Sequence, residues 1–285
     1  MNRKAQRVRV ARRAGSAFTL VELLVVIGIT IILAGLLFSA LVRAKGKAQA
    51  VQCLNNERNL SIACLLYVDE HDDYFPYNYG YEETEESVDN QKYWNWANNL
   101  LNWEVESYNT NTALLSAGGL GPYLGGVTSI YRCPADFVVS DLQKDVGWTS
   151  RVRSYSMNAM VGNPGQFAIG GVNTNNPGYR QFFKLAQIAD PSRIFLFIEE
   201  HPDSINDGYF LNRIDSSEWT DLPASYHDGA SLISFCDGHV ERHQWQFNST
   251  RPAALPHAAH LPFAVPADER GDFLWLMDRT SVKSR

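Results

Sequence analysis

From Phe18 to Val42 the chain runs for 25 residues with one charged side chain, Glu22. A helix of that length spans the roughly 30 Å hydrocarbon core of a bilayer, and so apolar a run has no comparable home on a soluble surface. Six basic residues and no acid precede it (Arg3, Lys4, Arg7, Arg9, Arg12 and Arg13), while Arg43, Lys45 and Lys47 follow. A cleaved secretory signal has a shorter apolar core and ends at a small-residue cleavage site. Here the apolar run passes straight into a helical pattern. On these residues alone the segment is a membrane anchor with a cytoplasmic basic end.

Glu22 does not suit a plain anchor. A carboxylate four residues into an apolar run is costly unless it is paired, so an acid there is a functional candidate by default. Its natural partner is a positive charge at the front of a neighbouring copy of the same helix, such as a new amino terminus at Phe18.

The segment Ala17-Phe18-Thr19-Leu20-Val21-Glu22-Leu23-Leu24-Val25-Val26-Ile27, behind its basic leader, closely resembles the class III signal of type IV prepilins and type II secretion pseudopilins. The resemblance implies a cut between Ala17 and Phe18 by a membrane prepilin peptidase, which also N-methylates Phe18. It implies that Glu22 guides docking of one subunit on another. The family usually has glycine before the cut, and Ala17 is the smallest substitute. The implied partners are that peptidase and methyltransferase, other pilin or pseudopilin subunits along the helix, and the inner-membrane assembly machinery. The implied location is the bacterial inner membrane, crossed once, with the amino terminus cytoplasmic and a periplasmic head. A filament in the periplasm or at the cell surface would follow. The size of the chain after the cut points to a pseudopilin or minor pilin.

The helix is expected to continue past the membrane, because no proline occurs before Pro76. Cys53, Leu60, Cys64 and Tyr67 share one face at helical spacing and should pack on the head. Cys53 and Cys64 lie about 16 Å apart along a helix, beyond disulfide reach. Each can pair only with Cys133 or Cys236, or remain a buried thiol. Cys53–Cys133 is the bridge to test first. The organisation expected is a leader over 1–17, a transmembrane helix over 18–42, a stalk helix over 43–70 and an extracytoplasmic head over 71–285.

Charge then excludes one class of partner. Taking the six leader residues from the chain's 25 basic ones leaves 19 against 31 acidic residues. A body so acidic repels phosphates, so no nucleic acid is expected. Residues 77–120 are rich in Asn, Tyr and Trp and read as loop with short helical pieces. The glycines of 116–126 lack the Lys-Ser/Thr ending of a phosphate loop and read as a turn. Strands are expected over Arg193–Ile198, Ser231–Phe235 and His239–Gln246, the last two joined at Asp237-Gly238. The fold class is therefore α+β, a long amino-terminal helix packed on a mainly antiparallel sheet as in pilins.

His227, nine intervening residues and Asp237-Gly238 resemble the signature of a branch of prepilin-like proteins. Cys133-Pro134-Ala135-Asp136 and Ser154-Tyr155-Ser156-Met157-Asn158 resemble two other patches of that branch. Around the signature, Asp228, Asp237, His239 and His243 are candidate ligands for a divalent cation, the one cofactor the residues invite. The plainer reading makes Asp237-Gly238 a turn that His227 hydrogen-bonds, with Glu241, Arg242 and His243 on a solvated strand face. Glu199 and Glu200 are neighbours in a strand and point to opposite faces, so they form no catalytic pair. No nucleophile elbow, zinc-protease helix or phosphate loop is present. The expectation is a structural subunit and not an enzyme. Two alternatives stand beside it: a membrane-tethered glycan- or ligand-binding module using the aromatic loop 77–103, and a metal-dependent enzyme using the His227–His243 cluster.

Overall fold

The computed structural model describes residues 19–284. The chain divides into two compact units, Met1–Lys45 and Gly46–Arg285, and the helix α1 (Leu20–Glu70) begins in the first and ends in the second. In the first unit every large apolar side chain from Leu20 to Val42 is exposed. This part of α1 is long and apolar enough to cross a membrane.

The second unit is an α+β domain. The carboxy-terminal turns of α1 bury Cys53, Asn56, Glu57, Leu60, Ser61, Ala63, Cys64 and Val68, while Tyr67 packs at the rim. The segment that follows holds three short helices, α2 (Tyr81–Asp89), α3 (Thr112–Ser116) and α4 (Asp141–Asp145). Five strands make the central sheet: β1 (Tyr155–Asn158), β4 (Phe195–Glu199), β5 (Tyr209–Phe210), β7 (Ala230–Phe235) and β8 (Val240–Gln244). Their order is β5-β1-β4-β7-β8, antiparallel throughout except for the parallel pair β1–β5. Two small ribbons stand apart, β2 (Ala168–Ile169) with β3 (Val172–Asn173), and β6 (Glu218–Trp219) with β9 (Phe263–Ala264). The helix α5 (Arg270–Met277) closes the chain.

Strands β4 and β7 are buried along their whole length, which suits their mainly apolar sequences, Phe-Leu-Phe-Ile-Glu and Ala-Ser-Leu-Ile-Ser-Phe. Alternation sorts β7 between two cores. Leu232 joins the cluster of α1, with Cys53, Leu60 and Cys64, whereas Ile233 and Phe235 join that of α5, with Phe273 and Leu276. In β4 the alternation slips. Phe195 pairs with Phe235 and Ile198 with Ile233, so β4 spends three steps where β7 spends two. That bulge puts Phe195 and Ile198 on the α5 side and leaves the next residue, Glu199, facing α1.

Candidate functional site

At the start of α1, Thr19 and Glu22 close on each other. The Glu22 amide donates to Thr19 Oγ1 at 3.2 Å, and Glu22 Oε2 accepts from the Thr19 amide at 2.8 Å and from its hydroxyl at 2.7 Å. This is a capping box, Thr-x-x-Glu, which satisfies amides that the first turn leaves without partners. Glu22 thus has a local task that its place in an apolar run did not reveal. Ala17 and Phe18, the expected cleavage pair, lie outside the described residues.

His227 of the signature sits at the opposite end of β7 from Asp237-Gly238. The chain enters β7 through Asp228-Gly229, both left-handed (φ 55° and 78°). His227 and Ala230 exchange both backbone hydrogen bonds across this pair, at 3.2 Å each. The arrangement is a two-residue turn of the kind Asp-Gly favours. It fixes the His227 ring in the core below α1, where Nε2 donates to Glu199 Oε1 at 2.9 Å. The same nitrogen lies 3.5 Å from Cys133 Sγ. The other Glu199 oxygen accepts from the Leu232 amide at 2.9 Å. The Arg242 guanidinium donates to the His227 carbonyl at 2.5 Å.

Cys133 is joined to Cys53 of α1 by a disulfide, with Cα atoms 5.2 Å apart. Cys64 and Cys236 are free and buried, and burial raises both thiols. Ligand atoms of Cys53, Cys133, Glu199 and His227 all lie within 4.8 Å of one another. On the next turn of α1, Glu57 is fully buried and neither carboxyl oxygen has a hydrogen-bond partner. Burial, with the charge of Glu199 added to it, holds its carboxyl well above the usual carboxylate range. The two other sequence patches meet here as well, since the Ser154 hydroxyl donates to Asp136 Oδ2 at 2.8 Å.

The second Asp-Gly turn is built differently. Gly238 alone is left-handed (φ 89°), and its amide donates to the Phe235 carbonyl at 2.9 Å. Asp237 Oδ1 takes the His239 amide at 3.1 Å and contacts its Nδ1 at 2.6 Å, and the His239 ring stacks on Phe235. A Cβ on Gly238 would stand 3.1 Å from Leu65 of α1. The signature therefore anchors both ends of β7 to one helix, His227 beside Cys53 and Gly238 beside Leu65. Twelve residues of helix cover about 18 Å, about the length of a six-residue strand. The nine-residue spacing measures that strand.

This geometry changes several expectations. His227 bonds Glu199 and not the Asp237-Gly238 turn, because β7 separates them. The candidate ligands Asp228, Asp237, His239 and His243 are not brought together. Asp228 and His243 lie at one end of the hairpin, and Asp237 and His239 at the other. His243 is no solvated side chain: it stacks on Trp275 at 3.5 Å, and burial holds its imidazole down at about 4. Of the aromatic loop, Trp96 is buried, donating to the Gly208 carbonyl at 3.1 Å, and Trp103 lies under Arg151. Trp94 is exposed. It lines, with Tyr67, His71, Tyr77, Tyr93 and Tyr123, an open cavity of about 530 Å³.

Glu199 and Glu200 part company, as neighbours on an extended chain do. Glu200 lies with Arg153 and Asp207 on the far side. Burial raises Glu200 to about 8 and Asp207 to about 7, and lowers Arg153 to about 10. No family model, curated protein or solved structure matches the chain.

Three participants have roles here that differ from, or add to, what their sequence context suggests. Glu57 stands four residues after Cys53 and three before Leu60, on the face already assigned to the core, so its burial was available from spacing. Asp228-Gly229 is a second Asp-Gly pair before an apolar run. Glu199 as the partner of His227 had no local signal, because the contact bridges 28 residues.

Proposed function

We propose that the chain is a structural subunit, a pseudopilin or minor pilin, of a type IV pilus-like or type II secretion filament. A prepilin peptidase would cut between Ala17 and Phe18 and methylate the new terminus. The apolar first half of α1 would hold the subunit in the inner membrane and then pack against other copies. The carrying observation is the wholly exposed apolar face of Leu20–Val42 with one acid in its first turn. In a filament that surface finds partners, and Glu22 meets the Phe18 amino group of a neighbour in a low-dielectric setting. The reading also draws on the carboxy-terminal turns of α1, which pack on a mainly antiparallel sheet. Glu22→Ala is expected to leave the protein processed and membrane-bound but unassembled. Normal filaments from that variant would contradict the docking role.

A second reading rests on the aromatic cavity around Trp94. Tyr67 and His71 stack at 3.7 Å along its wall, and Tyr77 faces Trp94 at 6.0 Å. Such a surface suits stacking on sugar rings. Glycan titration of the full chain in detergent, read by tryptophan fluorescence, should respond in the native protein and not in Trp94→Ala. No response in either would remove this reading.

A further inference from the structure

The disulfide centre gathers four side chains of metal-ligand type, Cys53, Cys133, Glu199 and His227. In a hydrogen-bonded relay a histidine uses its two ring nitrogens for two different partners. Here one nitrogen, Nε2 of His227, faces both Glu199 Oε1 at 2.9 Å and Cys133 Sγ at 3.5 Å. The donor atoms of Cys53, Cys133, Glu199 and His227 are gathered within 4.8 Å of one another. We propose that Cys53, Cys133, Glu199 and His227 form a tetrahedral site for a thiophilic divalent cation, zinc by its chemistry, whenever the Cys53–Cys133 bond is reduced.

Two sulfurs, one imidazole and one carboxylate are a zinc donor set. Bond lengths of about 2.0–2.3 Å place such ligands roughly 3.3–3.8 Å apart; His227 Nε2 already stands 3.5 Å from Cys133 Sγ and 2.9 Å from Glu199 Oε1, and the bonded sulfurs are the pair that must part. With Cα atoms 5.2 Å apart, side-chain rotation is enough to separate the sulfurs by that much. The outer contacts fit as well. The Ala135 amide donates to Cys133 Sγ at 3.4 Å, a bond that favours thiolate. The Leu232 amide holds the far oxygen of Glu199 and leaves Oε1 turned inward. Arg242 ties down the His227 backbone. The approach is through His227, which lines a cavity of about 500 Å³ bounded by Gln49, Val51 and Leu54 of α1, while Cys53, Cys133 and Glu199 are fully buried.

The chemistry balances with a dithiol as reductant. It gives two electrons and two protons to the disulfide and becomes a disulfide itself. The cation then displaces the two thiol protons. Disulfide and metal exclude one another, so the centre is a two-state clasp between α1 and the Cys133 loop. This inference does not rest on the filament reading.

The test uses the full chain in detergent, reduced with a dithiol that is removed under nitrogen, and then titrated with cobalt(II). The reduced protein should bind one cobalt per chain, with the intense visible bands of a tetrahedral site and a sulfur-to-cobalt charge-transfer band. Unreduced protein, identical in sequence, should bind none. His227→Ala and Glu199→Gln should each weaken binding at least tenfold, and Cys64→Ser/Cys236→Ser should leave it unchanged. No uptake after reduction, equal uptake without it, or uptake indifferent to both His227→Ala and Glu199→Gln would overturn the proposal. Loss of uptake in the Cys64/Cys236 variant would do so too.

Discussion

Thr19 and Glu22 exchange hydrogen bonds across the first turn of α1, so removing the acid removes a cap as well as a charge. Glutamine separates the two, because it serves in a capping box without carrying charge. If Glu22 docks subunits by its charge, Glu22→Gln should fail to assemble as completely as Glu22→Ala. Assembly by the glutamine variant alone would make capping its whole role. Other single residues set the response to pH. Burial holds Glu200 and Asp207 protonated up to about 8 and about 7, whereas in the unfolded chain such carboxyls ionise near pH 4 (about 4 for both types). Between those limits the folded state binds more protons, so stability falls as pH rises. His243, held at about 4, acts in the opposite sense and removes stability as pH falls below about 6.5. The thermal midpoint is therefore expected to drop between about pH 6.5 and about pH 8.5, and Glu200→Gln should flatten that slope. A midpoint that rises over this range would contradict the assignment.

The β7–β8 hairpin works as an element with two turns of different construction. Asp228-Gly229 needs two left-handed residues and Asp237-Gly238 only one. Gly238→Ala meets both a left-handed backbone and Leu65 at 3.1 Å, so a loss of about 1–3 kcal/mol is expected in chemical unfolding. An unchanged midpoint would mean that the turn does not seat on α1. Much of this element was legible beforehand. Two strand-like runs, Ser231–Phe235 and His239–Gln246, around an Asp-Gly pair marked the hairpin, and the shared face of Cys53, Leu60 and Cys64 marked the side of α1 that lies under it. The bulge in β4 was not legible, since one extra residue in a uniformly apolar strand leaves no mark on its composition. That bulge turns Glu199 towards His227, so the centre could not be assembled from the sequence. The candidate ligands Asp228, Asp237, His239 and His243 were grouped by nearness in sequence, and a strand's length separates them.

At the scale of the molecule, the Cys53–Cys133 bond ties α1 to the loop before β1 across a sequence separation of 80 residues. Closing a loop of that size stabilises the folded state by about 4.5 kcal/mol on chain-entropy grounds. Reduction without metal should lower unfolding stability by an amount of that order, and a midpoint insensitive to reduction would contradict it. The membrane segment was the most legible part of the chain, because length and apolarity act without tertiary context. The buried polar centre was the least, because its members come from α1, the Cys133 loop, β4 and the turn before β7. The central claim concerns what becomes of residues 1–17. It is tested most directly by the amino terminus of the protein purified from its native membrane, using intact mass and terminal peptide mapping. The expected result is a chain that begins at N-methylated Phe18. A chain that still begins at Met1, or one cut after the apolar run, would contradict it.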